Sequence, residues 1–425
     1  MGRGEAAAVR RRYLILTATR WLPTGLLIPL IAVVPLERGL SLVDVGIVSA
    51  VGGTVVLLLE LPTGGLADVL GRRPVLLVAS ACNLAGIALM VVAETFTAFL
   101  IIWCIEGIYR ALESGPLDAW YVDSAQAADP AADIEQGLAT RGLVLSVAIG
   151  VGALASGGIA LLPQPDALPA LALPIVVSLI LRLVDGAALL VLLGEDAPPR
   201  SAGRRVTRVV ATVRDTGRVV GESSLLLRGS TALLALAAAE LVWGAGMAGV
   251  EIFAAPRMVD LLGDPGRGVF VFALAATVAW SISGVGSSAA PWLARRTGSW
   301  VNAAIITRVA QGAGVLAAGV IAGPAGLLTG YTSFYLFHGA ANVAHYGLVN
   351  RNVAAAHRTT VLSINSLTSR LGGVVAAPLL GMAAAGAGLP LVFVICAALL
   401  ASGGPLYLLA RPPRTSEQPA GATAS

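Results

Sequence analysis

The sequence predicts an all-α membrane protein in which twelve transmembrane helices form two pseudo-symmetric six-helix bundles. Three observations lead to this prediction. Of 425 residues, 56% are hydrophobic and only 12% are charged, whereas soluble domains carry roughly 25% charged residues. Twelve apolar stretches are each long enough to cross a bilayer. The two halves of the chain also repeat one another weakly.

The first six apolar stretches make up a predicted N-terminal bundle of residues 13–194. A window of about 19 residues places its spans at 13–34, 42–62, 74–93, 96–121, 140–162 and 170–193. Residues 1–12 are predicted to be a cytoplasmic N-terminal segment. They resemble the start of a signal peptide, but no small-x-small cleavage site follows, so we interpret the first span as uncleaved.

The other six stretches make up a predicted C-terminal bundle of residues 230–410. Its spans are placed at 230–254, 267–291, 300–321, 325–349, 360–384 and 389–410. The intervening residues 195–229 are Arg-rich with valines at helical spacing, which favours an amphipathic interfacial helix; a solvated linker that only sets topology is the alternative. Residues 411–425 are Pro-rich and polar, and are predicted to be a disordered cytoplasmic tail.

The arginines predict the sidedness of the protein. All 28 basic residues are Arg, and none is Lys. If both termini, the central segment and the loops after even-numbered spans share one face, that face carries 20 of the arginines and the opposite loops carry three. The positive-inside rule then places both termini in the cytoplasm, in a multi-pass protein of the plasma (inner) membrane.

The repeat between the halves appears twice. The stretch RGLVLS from Arg141 recurs as RTTVLS from Arg358, 217 residues later, and elements of Leu66–Gly71 recur in Leu293–Gly298, 227 residues later. Two similar offsets indicate a six-plus-six duplication. Such repeats place a binding site at the midplane and allow one half to rock against the other.

The loop after the second span contains a motif formed by Gly64, Leu66, Ala67, Asp68, Gly71, Arg72 and Arg73. It resembles the signature G-x-L-A-D-R-x-G-R-R/K of the major facilitator superfamily, although Val69 stands where Arg is usual. The resemblance implies a conformational latch in which Asp68 holds the start of span eleven, near Thr359 and Thr360, and releases it when the cytoplasmic side opens. A simple topology signal made by the two arginines is the alternative.

Twelve charged residues lie within spans or at their ends: Arg20, Glu60, Glu106, Arg110, Glu113, Asp118, Arg182, Asp185, Glu240, Glu251, Arg308 and Arg370. A lipid-facing charge costs about 3 kcal/mol on insertion scales, so most must face a cavity, a partner or an interface. Arg182 and Asp185 are spaced to pair with each other. Arg308 is expected to extend toward the cytoplasmic surface.

The fourth span carries the densest polar stripe. Glu106, Arg110 and Glu113 are spaced i, i+4 and i+7, so they share one helix face. The stretch from Arg110 to Gly115 also resembles the R-x-x-Q-G motif of proton-coupled members of the superfamily. We predict that Glu106, Arg110, Glu113 and Glu240 couple transport to protons; a self-neutralising Glu-Arg-Glu ladder is the structural alternative.

Spans one, four, seven and ten each carry a polar stripe, and the resemblance implies that these four helices line a central cavity. The candidate substrate-binding residues are Arg20, Thr24, Glu106, Arg110, Glu240, Tyr335, His338, Asn342 and Arg370. Arg370 is predicted either to counter Glu240 or to contact substrate. For each residue, a hydrogen bond between helices is the alternative role.

The predicted function is secondary active transport by alternating access rather than catalysis. No P-loop motif is present, and no cluster of nucleophile, base and oxyanion donor is apparent. The Ala-, Leu- and Val-rich composition resembles that of proton-driven drug exporters, which favours efflux of a small amphiphilic drug-like compound or metabolite, although Ala153–Gly158 lacks the Pro of their G-P-x-x-G-G motif. The alternative is proton-coupled uptake of a small polar metabolite such as a sugar or amino acid.

The predicted partners follow from the same reasoning. They are a small-molecule substrate, protons and the lipid bilayer, and no nucleic acid is expected to bind. No cofactor or metal is predicted, because the three cysteines and three histidines show no ligand spacing. A monomer is expected, since all the candidate sites lie within one chain.

Overall fold

The computed structural model describes residues 2–64, 66–194, 229–353 and 357–411. In the first half the helices are α1 (Gly2–Leu27), α2 (Val33–Glu37), α3 (Leu42–Gly64), α4 (Leu66–Leu70), α5 (Arg72–Val92), α6 (Phe96–Glu113), α7 (Pro116–Ala128), α8 (Ile134–Ala160) and α9 (Ala172–Leu192). In the second half they are α10 (Thr231–Leu262), α11 (Pro265–Arg296), α12 (Trp300–Val320), α13 (Gly323–Asn352), α14 (Arg358–Ala387) and α15 (Leu389–Leu406), followed by a 3₁₀ turn at Tyr407–Ala410. The predicted interfacial helix and the predicted disordered tail lie outside the described residues.

The described helices confirm the twelve-span architecture. Nine of them are long and apolar enough to cross a membrane by length and composition. The other three spans are α1, the α6–α7 pair and α13, whose charged and polar side chains lower their mean hydropathy. Each predicted span corresponds to one long helix, or in the fourth span to the α6–α7 pair, whereas α2 and α4 are short connecting helices. Several of the long helices extend past the predicted span by a turn or two, because a helix can continue beyond the hydrocarbon layer.

Two spans differ from the sequence expectation. The fourth is broken between α6 and α7, where Gly115 has φ +94° and Pro116 begins the next helix. Proline lacks the amide that would continue the helix, and glycine accepts the positive φ without a Cβ clash. The first span starts earlier than predicted, because α1 is continuous from Gly2, and it ends at Leu27 before a turn that leads into α2.

The two bundles repeat one packing pattern. In the first, α1 packs on α8 and α9, α5 packs on α6 and α9, and α3 packs on α6. In the second, α10 packs on α14 and α15, α12 packs on α13 and α15, and α11 packs on α13. The repeated loop also keeps its backbone, since Gly71 and Gly298 have φ +93° and +75°.

The bundles meet along two helix pairs, α3 with α14 and α8 with α11. Glycines permit this approach: an added Cβ on Gly46 would lie 2.5 Å from the carbonyl oxygen of Ala377, and one on Gly266 would lie 2.6 Å from that of Ala160. Small residues bring helix backbones close enough for dispersion to hold them together in lipid. Both contacts lie near the face opposite the one that holds Gly2 and Arg411, the first and last described residues; the face of Gly2 and Arg411 is called the termini face below.

Toward the face that holds the termini, the bundles separate. The α8–α11 contact reaches the hydrogen bond in which Thr277 Oγ1 donates to the Gly150 carbonyl, at 3.3 Å. One and two turns farther along the same face of α8, Val147 and Leu143 are 55% and 66% exposed. On α11, a Cβ added to Gly284 would find no atom within 4 Å. The apolar clusters agree with this separation: one cluster joins both bundles near the opposite face, whereas the clusters nearer the termini each belong to a single bundle. We therefore interpret the space beyond the last α8–α11 contact, beside Leu143, Val147 and Gly284, as a crevice that opens on the termini face.

Candidate functional site

An ion pair on α6 lies beside the space between the bundles. Arg110 Nε is 3.1 Å from Glu106 Oε1, and the two side chains are 46% and 30% exposed. The other carboxylate oxygen of Glu106 accepts a hydrogen bond of 2.7 Å from Asn83 Nδ2 on α5. The carboxylate is therefore held from two sides while part of it stays accessible.

Glu106 and Arg110 also line a narrow slot inside the first bundle, together with Thr24, Asn83 and Arg182. The remainder of the slot is apolar: Leu27, Ile28, Ile31, Gly86, Ile87, Met90, Ile102 and Trp103. Its volume of about 50 Å³ accommodates a few water molecules and is too small for an organic substrate. One end of the slot is thus charged and the other is apolar.

A carboxylate of the second bundle lies near this ion pair. Glu251 on α10 is exposed and within electrostatic range of Arg110, Tyr331 and Tyr335. The face opposite the termini, where the bundles touch, is called the closed face. At 1.5 Å per residue, Arg110 lies about 21 Å from the end of α6 at Phe96 and Glu251 about 17 Å from the end of α10 at Leu262, and both ends are at the closed face. Glu251 therefore faces Arg110 across the space between the bundles at a similar depth. Sequence reasoning noted its charge without assigning it to the site.

Glu113 and Arg20 form a second charged contact in the first bundle. Arg20 Nη1 lies 3.5 Å from Glu113 Oε1, and the side chains are 1% and 15% exposed. The guanidinium of Arg20 makes no hydrogen bond within the described part of the chain. The three charges of α6 thus separate: Glu106 pairs with Arg110 on its own helix, whereas Glu113 is the counter-ion of a buried cation on α1.

A buried polar cluster ties together the second bundle. Arg308 Nη2 on α12 is 3.3 Å from Glu240 Oε1 on α10, and these side chains are 0% and 2% exposed. His345 contacts the same carboxylate oxygen at 3.3 Å, and Tyr407 accepts from Arg308 Nε at 3.2 Å. Arg308 does not extend to the surface as expected, because its partners lie inside the bundle.

The remaining cavity candidates on α13 join an aromatic cluster. His338 lies 3.0 Å from the amide nitrogen of Asn342 and stacks on Trp243 of α10 with ring centroids 5.6 Å apart. Tyr335 packs on Trp280 of α11 at 5.9 Å. Trp280 is 37% exposed and Tyr335 is 2% exposed. Aromatic side chains are thus concentrated on one wall of the second bundle, which the low aromatic content of the chain did not predict.

Arg370 pairs with Glu60 rather than with Glu240. Its Nε lies 2.7 Å from Glu60 Oε2, and the two side chains are 40% and 23% exposed. Since α3 and α14 belong to different bundles, this ion pair bridges the interface. Arg182 and Asp185 pair within α9 at 3.2 Å, both 1% exposed, as their spacing predicted.

Replacing Glu60 by Gln is expected to lower the population of the conformation described here, in which the crevice is open on the termini face. An exposed ion pair contributes about 1 kcal/mol or less, so the balance between arrangements should shift by up to about fivefold. Reagent accessibility of a cysteine placed at Leu143, in the crevice, would report that balance. Exchanging the charges in an E60R/R370E double variant should restore the wild-type accessibility of this cysteine. If E60Q left the accessibility unchanged, or if the double variant did not restore it, the Glu60–Arg370 pair would not stabilise this conformation.

The arginines of the signature loop bind within the first bundle. Arg72 donates to the Ala119 carbonyl at 2.9 Å and pairs with Asp123 at 2.5 Å, both on α7. Arg73 donates to the Leu190 carbonyl on α9 at 2.8 Å. The side chains of Asp68 and Thr359, which the latch prediction joins, lie outside the described residues.

Comparisons with known proteins agree with this architecture. The family model of the Major Facilitator Superfamily matches residues 13–337. Among solved structures, the chain is similar to the nucleoside transporter NupG, with a TM-score of 0.75 and 11% identity over 95% of this chain and 98% of that one. It is also similar to a bacterial homologue of the human lysosomal transporter Spinster, with a TM-score of 0.73 and 14% identity over 96% and 97% of the two chains.

A third similar structure is the peptide transporter POT in complex with sulfate, with a TM-score of 0.67 and 12% identity over 96% of this chain and 97% of that one. Comparison with curated proteins gives no significant match. At these identities the solved structures establish the fold alone, whereas the family model covers well over half of the chain. The chain belongs to the Major Facilitator Superfamily and is a multi-pass membrane transporter rather than an enzyme.

Proposed function

We propose that the protein is a proton-coupled exporter of a small amphiphilic compound and works by alternating access. The observation that carries the proposal is the exposed Glu106–Arg110 pair, which lies beside an apolar slot and faces the space between two bundles. If the positive-inside rule holds, the crevice opens to the cytoplasm. A substrate would then enter from the cytoplasm in the conformation described here.

The slot supports an amphiphilic substrate. Its charged end offers Glu106 and Arg110, and its apolar end offers Ile28, Ile31 and Trp103. A ligand with a polar head and an apolar body satisfies both ends, because each buried polar group then keeps a partner. Since the slot itself is too small for such a ligand, we propose that the substrate binds in the wider space between the bundles and inserts only its apolar part into the slot.

Proton coupling follows from competition for Glu106. A proton on this carboxylate removes the charge that attracts Arg110, which frees the guanidinium to face Glu251 on the other bundle. The pair therefore has two arrangements, and the proton selects between them. Glu113 is shielded by Arg20, and Glu240 is 2% exposed, so we assign Glu113 a secondary part in coupling and Glu240 a part in the stability of the second bundle.

Replacing Glu106 by Gln is expected to uncouple transport from the pH gradient. Gln is neutral, like protonated Glu, and can still accept from Asn83, so the fold should persist. In proteoliposomes, transport driven by a pH gradient should fall by about tenfold or more, because a group that transfers protons typically contributes at least that factor to the rate. Substrate exchange without a gradient should continue. Wild-type gradient-driven rates in both E106Q and E113Q would refute the assignment.

The aromatic wall favours a second candidate, proton-coupled uptake of a small polar metabolite. Planar rings such as those of Trp243 and Trp280 can stack on a ring-containing polar substrate. The missing Pro in Ala153–Gly158 also weakens the resemblance to exporters. Transport assays in inverted and right-side-out vesicles distinguish the two, because export requires accumulation inside inverted vesicles when their interior is acidic.

The latch implied by the signature loop is a further part of this mechanism. If Asp68 holds the start of α14 when the termini face closes, an Asp68→Asn variant should lose most transport at normal expression, because the closed arrangement loses an anion at a helix N-terminus. Transport assays with expression matched by blotting would measure this. Undiminished transport in this variant would contradict the latch. The loop would then act only as a topology signal, through Arg72 and Arg73.

A further inference from the structure

A cavity of about 630 Å³ lies at the termini face of the second bundle. It lies where the turn between α11 and α12 meets the end of α13. Its walls include Arg295 from the end of α11, Ser299 and Trp300 from the start of α12, and Arg351 from the last turn of α13. Pro291 and Leu348 form an apolar part of the lining.

The two arginines of this cavity have no carboxylate partner among the described residues. The guanidinium of Arg351 lies over the ring of Trp300, 5.1 Å from its centroid, and Arg295 is exposed. Between residues 229 and 411 the sequence contains only four acidic residues, which are Glu240, Glu251, Asp260 and Asp264. Glu240 and Glu251 lie within the bundle, and the other two lie at the opposite face, so none compensates these charges.

In the matching loop of the first bundle, acidic residues compensate the positive charge of the arginines. There Arg72 pairs with Asp123 on α7, and the signature places Asp68 at the position that Arg295 occupies after the 227-residue offset. The second bundle keeps the turn, with Gly298 at φ +75°, but has lost both acids and gained Arg351 from the helix equivalent to α7. Among the described residues, the two arginines therefore have no acidic partner, and an anion from outside the bundle can pair with them.

The chemistry of the cavity favours a phosphate group. Arginine presents a planar fork that binds phosphate oxygens in pairs. Ser299, Trp300 and Val301 at the start of α12 line the same cavity, and the amides of a first helical turn favour an anion nearby. Trp300, together with the 59% exposed Trp292, places the cavity at the level where tryptophans lie between headgroups and acyl chains.

We infer that this cavity binds a phosphate group through Arg295 and Arg351, supplied either by the headgroup of an anionic lipid or by a soluble phosphate. The ligand neutralises the turn between α11 and α12 and joins it to the end of α13. The site shares no lining residue with the slot of the first bundle, and the inference does not depend on the proposed direction or substrate of transport.

The test uses the full chain and compares an R295Q/R351Q variant with an R11Q/R12Q variant. The control removes the same charge from exposed arginines of α1 that lie outside the cavity. Native mass spectrometry after release from nanodiscs of phosphatidylcholine with phosphatidylglycerol counts retained anionic lipid. Thermal unfolding in detergent with added inorganic phosphate measures binding of the soluble ion. A single R295Q variant serves as a further control. It keeps the packing of Arg351 on Trp300 and removes only the charge of the exposed Arg295.

We expect R295Q/R351Q to retain about tenfold less phosphatidylglycerol than the wild type, because two charge-assisted contacts are lost. R11Q/R12Q should retain as much as the wild type, and R295Q should be intermediate. That result supports the site with a lipid as its source. Phosphate-dependent stabilisation that only the cavity variants lose supports the site with a soluble source. Equal losses in both double variants, or no loss of either kind, overturn the inference.

Discussion

Replacing Arg110 by Gln is expected to lower gradient-driven transport by about tenfold or more, as for Glu106, while the protein remains folded. Arg110 is the cation beside Glu106 and faces Glu251 across the crevice, so its loss leaves two midplane carboxylates without a cation. Glu106 would keep only its hydrogen bond from Asn83. In the proposed mechanism Arg110 is the counter-ion that Glu106 needs when its proton has left, so the variant lacks a partner for the deprotonated state. A carrier without this counter-ion should complete its cycle more slowly.

The measurement is substrate flux in proteoliposomes under an imposed pH gradient, with reconstituted protein quantified. An Arg257→Gln variant is the matched control, because Arg257 pairs with Asp260 near the closed face and lies outside the crevice. An Arg110→Lys variant should be intermediate, since Lys keeps the charge without the planar fork. Near-normal flux in R110Q would remove Arg110 from the mechanism.

Replacing Glu240 by Ala is expected to destabilise the second bundle by about 3–5 kcal/mol. Breaking a buried ion pair leaves an uncompensated charge in a poorly solvated interior, and this penalty is of that size. The partner left behind is Arg308, which is 0% exposed and could reach water only by disrupting its contacts with Tyr407 and Gln311. Removing both charges in E240Q/R308M should recover most of the stability, because no ion is then left unpaired.

The free energy of unfolding in mixed micelles would measure this effect, with Trp243 fluorescence as a local signal, since Arg308 lies 5.4 Å from that ring. Asp260→Asn, which breaks an exposed pair on the same helix, should cost about 1 kcal/mol or less. If E240A and D260N were equally mild, the cluster would not be a stabilising element of the bundle.

The membrane spans could be predicted because a bilayer imposes one simple length and composition rule on every helix. Local pairs were predictable for a similar reason: Arg110 lies four residues after Glu106 and Arg182 three residues before Asp185, so helix geometry alone brings them together. The break at Gly115–Pro116 also had a sequence signal, since proline rarely continues a helix. Hydropathy averaging concealed it.

The contacts between distant residues could not be derived in this way. Glu60 and Arg370 are 310 residues apart, and their pairing depends on how α3 crosses α14 in the assembled protein. The position of Glu240 depends likewise on α12, whose Arg308 was expected at the surface. Only the packing of the bundles decides which polar stripe faces the crevice and which is enclosed, and that information lies in many weak contacts rather than in any motif.

The central claim is that the two bundles alternate between a crevice on the termini face and one on the opposite face, under control of a proton. Spin labels at Leu143 and Gly284 report the first face, and labels at Leu162 and Asp260 report the second. Each pair would be introduced by itself into a chain whose Cys82, Cys104 and Cys396 are replaced by alanine. Gly284 has open space around an added side chain, so the label should not disturb packing.

Electron–electron distances for the two pairs, measured in nanodiscs as pH is varied, test the claim most directly. The account predicts that one distance shortens as the other lengthens, and that E106Q abolishes the pH dependence of both. Distances that stay fixed, that change in the same direction, or that respond to pH equally in E106Q would contradict it.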